Sequence, residues 1–227
     1  IGGGGRLVAE TGRHYAQMSI QLADKVGLLD VLNPFLPDFR EMVLTMMDGV
    51  YLLNAAGEKV PEAFVLIPVE EIEPEDQGMR AFNYRSEPFE NRAREPVPQN
   101  IYDVFSSRVH GDPATPVVLA HVGDPLTFQL MVPADLSRAH GFTLDGHLLR
   151  KVSQDILSQV ICASNADTIG EGAPTVFLYG AGPSGKPGDY LFHGTLIRWD
   201  VELGMWGILR VLPAGAPGIL PLPDRTG

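Results

Sequence analysis

Val117–Val132 reads VVLAHVGDPLTFQLMV, two short apolar runs separated by Gly123-Asp124-Pro125. Runs of the same kind follow it: GFTLDGHLL (141–149), SQVICAS (158–164), TVFLYG (175–180), GDYLFHG (188–194) and MWGILRVL (205–212). Each is rich in β-formers, and Gly, Pro, Asn and Asp punctuate them at regular spacing. Several short strands at such spacing signal a sandwich or barrel rather than an α/β or helical core. The Gly180–Gly185 run lacks the Gly-Lys-Ser/Thr ending of a phosphate loop, because Lys186 is followed by Pro187, and it reads as a long hairpin.

Upstream of this block the pattern changes. Met18, Leu22, Val26 and Leu29 recur at helical spacing, which predicts a short helix near 17–29 that Pro34 and Pro37 end. Residues 39–53 read as a strand, a turn at Asp48-Gly49 and a second short strand, with another turn over Asn54–Lys59. Residues 60–116 are rich in Pro, Glu and Arg, and they read as a surface excursion too polar for a core. Past Leu212 the proline-rich tail, 213–227, reads as an extended arm. The expected organisation is therefore an N-terminal segment, 1–37, as a remnant of a preceding domain, a β-domain over 38–212, and the tail.

At 227 residues with 44% hydrophobic content, the chain can bury a real core. Its net charge of −11 argues against wrapping nucleic acid, which needs a Lys/Arg surplus, and against an electrostatic membrane anchor. No apolar run approaches the roughly 20 residues of a membrane span, and no signal peptide is visible. The opening Ile1 and the glycine run Gly2–Gly5 suggest a processed chain or a piece of a longer protein. A single cysteine, Cys162, rules out an internal disulfide framework. Inside VICAS it reads as a small buried hydrophobe rather than a reactive thiol.

Three segments in order carry a resemblance. His110–Pro116 followed by VVLAHVGDPLTFQLMVPAD is similar to the leading strand and the Gly-Asp hairpin of a cupredoxin domain of the multicopper oxidases. His140–His147, HGFTLDGH, resembles that family's H-x-x-H-x-H-G-H strand. Pro187–His193, with Gly204-Met-Trp-Gly207 after it, resembles the closing strand pair. Glu75–Phe89, EDQGMRAFNYRSEPF, also looks like a linker of large bacterial members. The resemblance implies an all-β, cupredoxin-like Greek-key sandwich.

It also shows which ligands are missing. A blue-copper centre needs a soft thiolate with two imidazoles, often with a distant Met. His140 falls at the mononuclear ligand position, while Thr143 and Asp145 take the next two, which belong to the trinuclear cluster. His147 matches a family histidine that is not usually a ligand. With Met205 aligned on the axial methionine, Thr195 takes the cysteine position, Gly194 and Leu196 take the flanking histidines, and Asp200 takes the later histidine. Alignment on His193 puts Gly194 at the cysteine position. Cys162 lies in a different strand and repairs neither alignment.

Two readings follow. One is a non-catalytic cupredoxin module of an oxidase-like protein, with a structural or interaction role beside other cupredoxin domains or subunits. The alternative is a copper-dependent oxidoreductase or electron-transfer module with a non-standard site drawn from His140, Asp145, His147, His193 and Met205. Three of these residues also have a plainer reading: His140 as a hydrogen-bonded histidine at a strand start, His193 as a half-buried histidine, and Met205 as core packing. Strand parity puts Asp145 and His147 on one side and His140 on the other. The cofactor expected is copper or none, and the compartment implied by the resemblance is periplasmic or secreted.

Overall fold

The computed structural model describes residues 6–11, 16–21, 39–51, 53–59, 78–93, 101–132, 140–150, 157, 159–166, 175–178 and 180–222. Their strands are β1 (Arg6–Thr11), β2 (Ala16–Gln21), β3 (Phe39–Val50), β4 (Met79–Phe82), β5 (Val117–His121), β6 (Leu126–Met131), β7 (His140–Leu144), β8 (Leu149–Arg150), β9 (Val160–Ile161), β10 (Ala163–Ala166), β11 (Thr175–Leu178), β12 (Gly188–Gly194) and β13 (Trp206–Leu212). They form two sheets. One runs β1-β2-β3-β6-β11-β8-β9, with β4 also paired to β3, and the other runs β10-β7-β12-β13-β5. Pairing is mainly antiparallel, with β3/β6 and β5/β13 parallel. The all-β sandwich expected from the sequence is the fold, and the chain passes repeatedly from one sheet to the other.

The apolar periodicity explains the layers. Leu126, Phe128 and Leu130 of β6 are buried to zero exposure, and they meet Phe142 and Leu144 of β7 and Phe192 of β12 across the sandwich. Phe128, Phe142 and Phe192 stack in tilted geometry with ring centroids 5.3–6.4 Å apart. Strand β13 is buried on both faces. Leu209 and Val211 point into this inter-sheet core, while Trp206 and Ile208 point outward into a second cluster with Phe89, Val104, Val117 and Val201. Full burial of such side chains is worth about 1.5–3 kcal/mol each.

That second cluster corrects the reading of 60–116 as a surface excursion. All four residues of β4 are buried, and Phe89 and Val104 cover the outer face of the second sheet. The Trp206 indole N–H donates to the Glu87 carbonyl (2.7 Å), and the Arg92 guanidinium lies over the indole ring. Residues 60–77 and 94–100 lie outside the described residues.

Other expectations also change. Ala16–Gln21 forms β2, not a helix, because it pairs with β1 on one side and β3 on the other; the remainder of the expected helix, 22–29, lies outside the described residues. Asp48-Gly49 does not break the chain into two strands. It sits within β3, where the register shifts between Met47 and Val50 and Gly49 adopts φ 62°, so the irregularity is absorbed as a bulge. The turn over 54–59 is present, closed by the Leu53–Lys59 bridge. Gly123-Asp124 joins strands of different sheets rather than a hairpin, and so does the Gly180–Gly185 run between β11 and β12. Cys162 is exposed, not buried, at the corner where the chain leaves β9 in one sheet for β10 in the other.

The tail beyond β13 folds back on the body. Leu222 is buried, the Ala216 carbonyl meets His121 Nε2 at 2.9 Å, and Arg40 Nη2 donates to the Leu220 carbonyl. Arg40 is itself wholly buried and pairs with Asp124 at 2.6 Å.

Candidate functional site

His140 opens β7, and its imidazole is 3% exposed. Nε2 faces Asp48 Oδ2 of β3 at 3.1 Å, and Nδ1 faces Asp200 Oδ1 of the β12–β13 connection at 3.4 Å. The other oxygen of Asp48 pairs with Arg80 Nε of β4 at 2.8 Å. Asp200 Oδ2 accepts the Leu196 backbone N–H at 3.2 Å. One arginine, one histidine and two carboxylates thus form one buried chain, Arg80–Asp48–His140–Asp200, whose formal charges cancel when the imidazole is protonated.

Glycines make the cluster possible. The Thr195 side chain occupies the space a Cβ would need at Gly141, and Asp200 does the same at Gly194. The connection itself is a π-helical turn over Ile197–Val201, which carries Asp200 back onto His140. Burial alone lowers the pKa of the imidazole, but Asp200 and Asp48 outweigh it and hold the group up at about 9. His140 is therefore an imidazolium at neutral pH.

The residues that the sequence resemblance puts at copper-ligand positions do not supply the donors of a blue-copper centre: Thr195, packed against Gly141, offers a hydroxyl in place of a thiolate, and Asp200, facing His140, offers a carboxylate in place of an imidazole. A metal needs the lone pair of one ring nitrogen, and both nitrogens of His140 point at carboxylates on opposite sides of the ring. One ion cannot bridge Asp48, His140 and Asp200. Met205 is fully buried in the inter-sheet core, with its N–H bonded to the Asp200 carbonyl at 2.7 Å.

The remaining candidates separate from His140. His147 lies past the end of β7, so strand parity does not apply to it. Its Nδ1 donates to the Asp145 carbonyl (2.9 Å), its Nε2 accepts the Gly182 N–H (3.1 Å), and its ring meets Tyr190 edge-on. Burial pushes its pKa down, and the two bonds define a neutral imidazole with no lone pair to spare. The Asp145 carboxylate does not join His147. It lies instead by His193, with Oδ1 3.4 Å from Nε2. His110 pairs with Asp103 at 3.2 Å. Among the described residues, no three His, Cys, Asp or Glu side chains converge on a common ion position. Asp48 and Arg80 are the members that sequence reasoning missed. A charge inside the apolar run Met42–Val50 is the available signal, since a buried carboxylate requires a partner.

No protein-family model and no curated protein matches the chain. Solved structures with a similar fold include a copper nitrite reductase from Nitrosomonas europaea, with 12% identity over 80% of this chain and 44% of that one and a TM-score of 0.40. A multicopper oxidase shares 12% identity over 89% of this chain and 57% of its own, with a TM-score of 0.44. A copper-containing nitrite reductase from Thermus scotoductus shares 14% identity over 92% and 41%, with a TM-score of 0.40. The chain spans about half the length of these proteins, and similarity at this level assigns no activity. Among the described residues no helix is long and apolar enough to cross a membrane.

Proposed function

We propose that this chain is a non-catalytic, cupredoxin-like module that serves a structural or interaction role beside other cupredoxin domains or subunits of an oxidase-like assembly. The observation that carries this reading is the pairing of both His140 ring nitrogens with buried carboxylates. His140, which the sequence resemblance puts at the mononuclear-copper position, belongs to an ion network tying β3, β4, β7 and the β12–β13 connection together. Thr195 in place of a thiolate supports the same conclusion, because the charge-transfer chemistry of blue copper depends on sulfur. The sequence resemblance to cupredoxin domains of the multicopper oxidases implies a periplasmic or secreted setting and partners of cupredoxin type. The net charge of −11 speaks against nucleic acid as a partner.

The test is copper loading of the full chain followed by electron paramagnetic resonance, optical absorption and oxygen uptake with a phenolic substrate. The reading expects no intense blue absorption, no narrow-hyperfine copper signal and no oxygen uptake. A blue, thiolate-ligated centre or sustained turnover by the chain alone refutes it.

A further inference from the structure

The stretch Val160–Ala166 contributes to both sheets. Among the described residues, β9 ends the first sheet with β8 as its one strand partner, and β10 ends the second sheet with β7 as its one strand partner. Cys162 is exposed at the bend between them. One run of chain thus forms the outer edge of both layers on the same side of the sandwich. The opposite edge of the second sheet is closed. Every residue of β5 is buried or half-buried there, and the tail lies against His121 through the Ala216 carbonyl.

An open strand edge is a template for another strand, and proteins ordinarily blunt such edges with charge or proline. Leu157–Ala166, LSQVICASNA, carries neither. Apolar side chains surround this edge instead. Val160 and Leu148 are exposed, Leu148 adjoining the β8 residue that faces Ile161, and Leu157 is 89% exposed. Charge limits what can cover the edge. Two copies of a chain carrying −11 repel each other, so they meet at lowest cost over a stretch with no charge on either. Antiparallel pairing also lets a strand pair with its own copy about a two-fold axis, so a single edge supplies both halves of the contact.

We propose that a second copy of this chain docks on this edge, antiparallel about a two-fold axis at Cys162. That centre uses both edge strands at once. β9 of one copy lies beside β10 of the other, with Val160 opposite Ser164, Ile161 opposite Ala163, and Cys162 opposite its own counterpart. The first sheet of each copy then continues into the second sheet of the other. The strands are short, and interfaces below about 1,200 Å² of buried area are weak and transient, so the pair forms reversibly as concentration rises. The contact uses no residue of the ion network at His140, and it does not depend on the chain being non-catalytic.

The experiment is sedimentation equilibrium of the full chain under reducing conditions, from about 1 μM to about 1 mM. The expected result is a monomer at the low end and a growing dimer fraction at the high end. Val160→Lys, which places a charge on the edge, weakens dimerisation by about tenfold or more while thermal melts show it folded. Hydrogen exchange on the unsubstituted chain gives a second measure: the amides of 160–164 slow as concentration rises. Oxidised glutathione gives a third. Directly opposed residues of an antiparallel pair have Cα atoms about 4.5–5.5 Å apart, inside the about 4.4–6.8 Å a disulfide spans. Two Cys162 thiols therefore join as one disulfide at high concentration, and the oxidant leaves as two molecules of reduced glutathione. Three outcomes overturn the proposal: a chain monomeric throughout, with glutathione adducts at Cys162 and no linked dimer; a dimer of unchanged affinity in the folded Val160→Lys variant; or concentration-dependent protection confined to segments other than 160–164.

Discussion

Replacing Asp200 by Asn keeps the side-chain shape, and an oxygen to accept the Leu196 N–H, but removes one of the two charges that hold His140. The magnitude follows from the proton on that ring. An imidazole held at about 9, against an ordinary value of 6.5, stores about 3 kcal/mol of folding stability. The side chains of His140, Asp48 and Asp200 are 3%, 1% and 2% exposed, so solvent screens little of it. Removing one partner of a buried ion pair typically costs about 3–5 kcal/mol, and the lower end applies here because the ring can shed its proton once the charge of Asp200 is gone. The sign follows from which state binds the proton more tightly. The folded state does, so the stabilisation is fully present below about pH 6.5 and is lost as pH rises through about 9. Asp200→Asn should therefore cost about 3 kcal/mol near pH 6 and much less near pH 10. Urea unfolding followed by tryptophan fluorescence measures this as a shift in midpoint at constant slope. Titrations of other groups cancel in the difference between the two proteins. A cost that stays the same from pH 6 to 10 refutes the claim that His140 is held as an imidazolium by Asp200.

Two further substitutions test the packing around the site. Trp206→Ala removes the indole that stacks edge-on against Phe105 and anchors Glu87, and it should destabilise the chain by about 3–5 kcal/mol. Limited proteolysis should then cut within 83–116 before the inter-sheet core is attacked. Gly141→Ala puts a Cβ into the Thr195 side chain and should cost about 1–3 kcal/mol in thermal or urea unfolding. Combining it with Thr195→Gly should recover much of that loss, and a double variant no more stable than Gly141→Ala removes the steric explanation.

The sequence by itself determined that the chain is an all-β sandwich. Strand-length apolar runs between turn residues are local features, and from Val117 to Leu212 they match the strands observed. It also gave Thr195 and Asp200, rather than Cys and His, at the positions that the resemblance implies for copper ligands, because residue identity needs no structure. Local pattern failed where pairing between distant segments set the outcome. Met18 and its neighbours carry helical spacing, yet Ala16–Gln21 is a strand because β1 and β3 offer backbone partners on both sides. Met79–Phe82 and Phe89 sit in a polar stretch, yet they are buried, Met79–Phe82 because β4 pairs with β3 and Phe82 enters the inter-sheet core, and Phe89 because the outer face of β13 presents Trp206 and Ile208 for it to cover. The site followed the same rule. His140 was legible as a candidate, but its partners Asp48 and Asp200 lie 92 residues before it and 60 after it in the chain. Nothing local indicates that those carboxylates take up both ring nitrogens, or that Asp145 turns toward His193 instead of His147. Ion pairing in a buried site depends on distances through space, which the folding of the two sheets onto each other sets and sequence spacing does not.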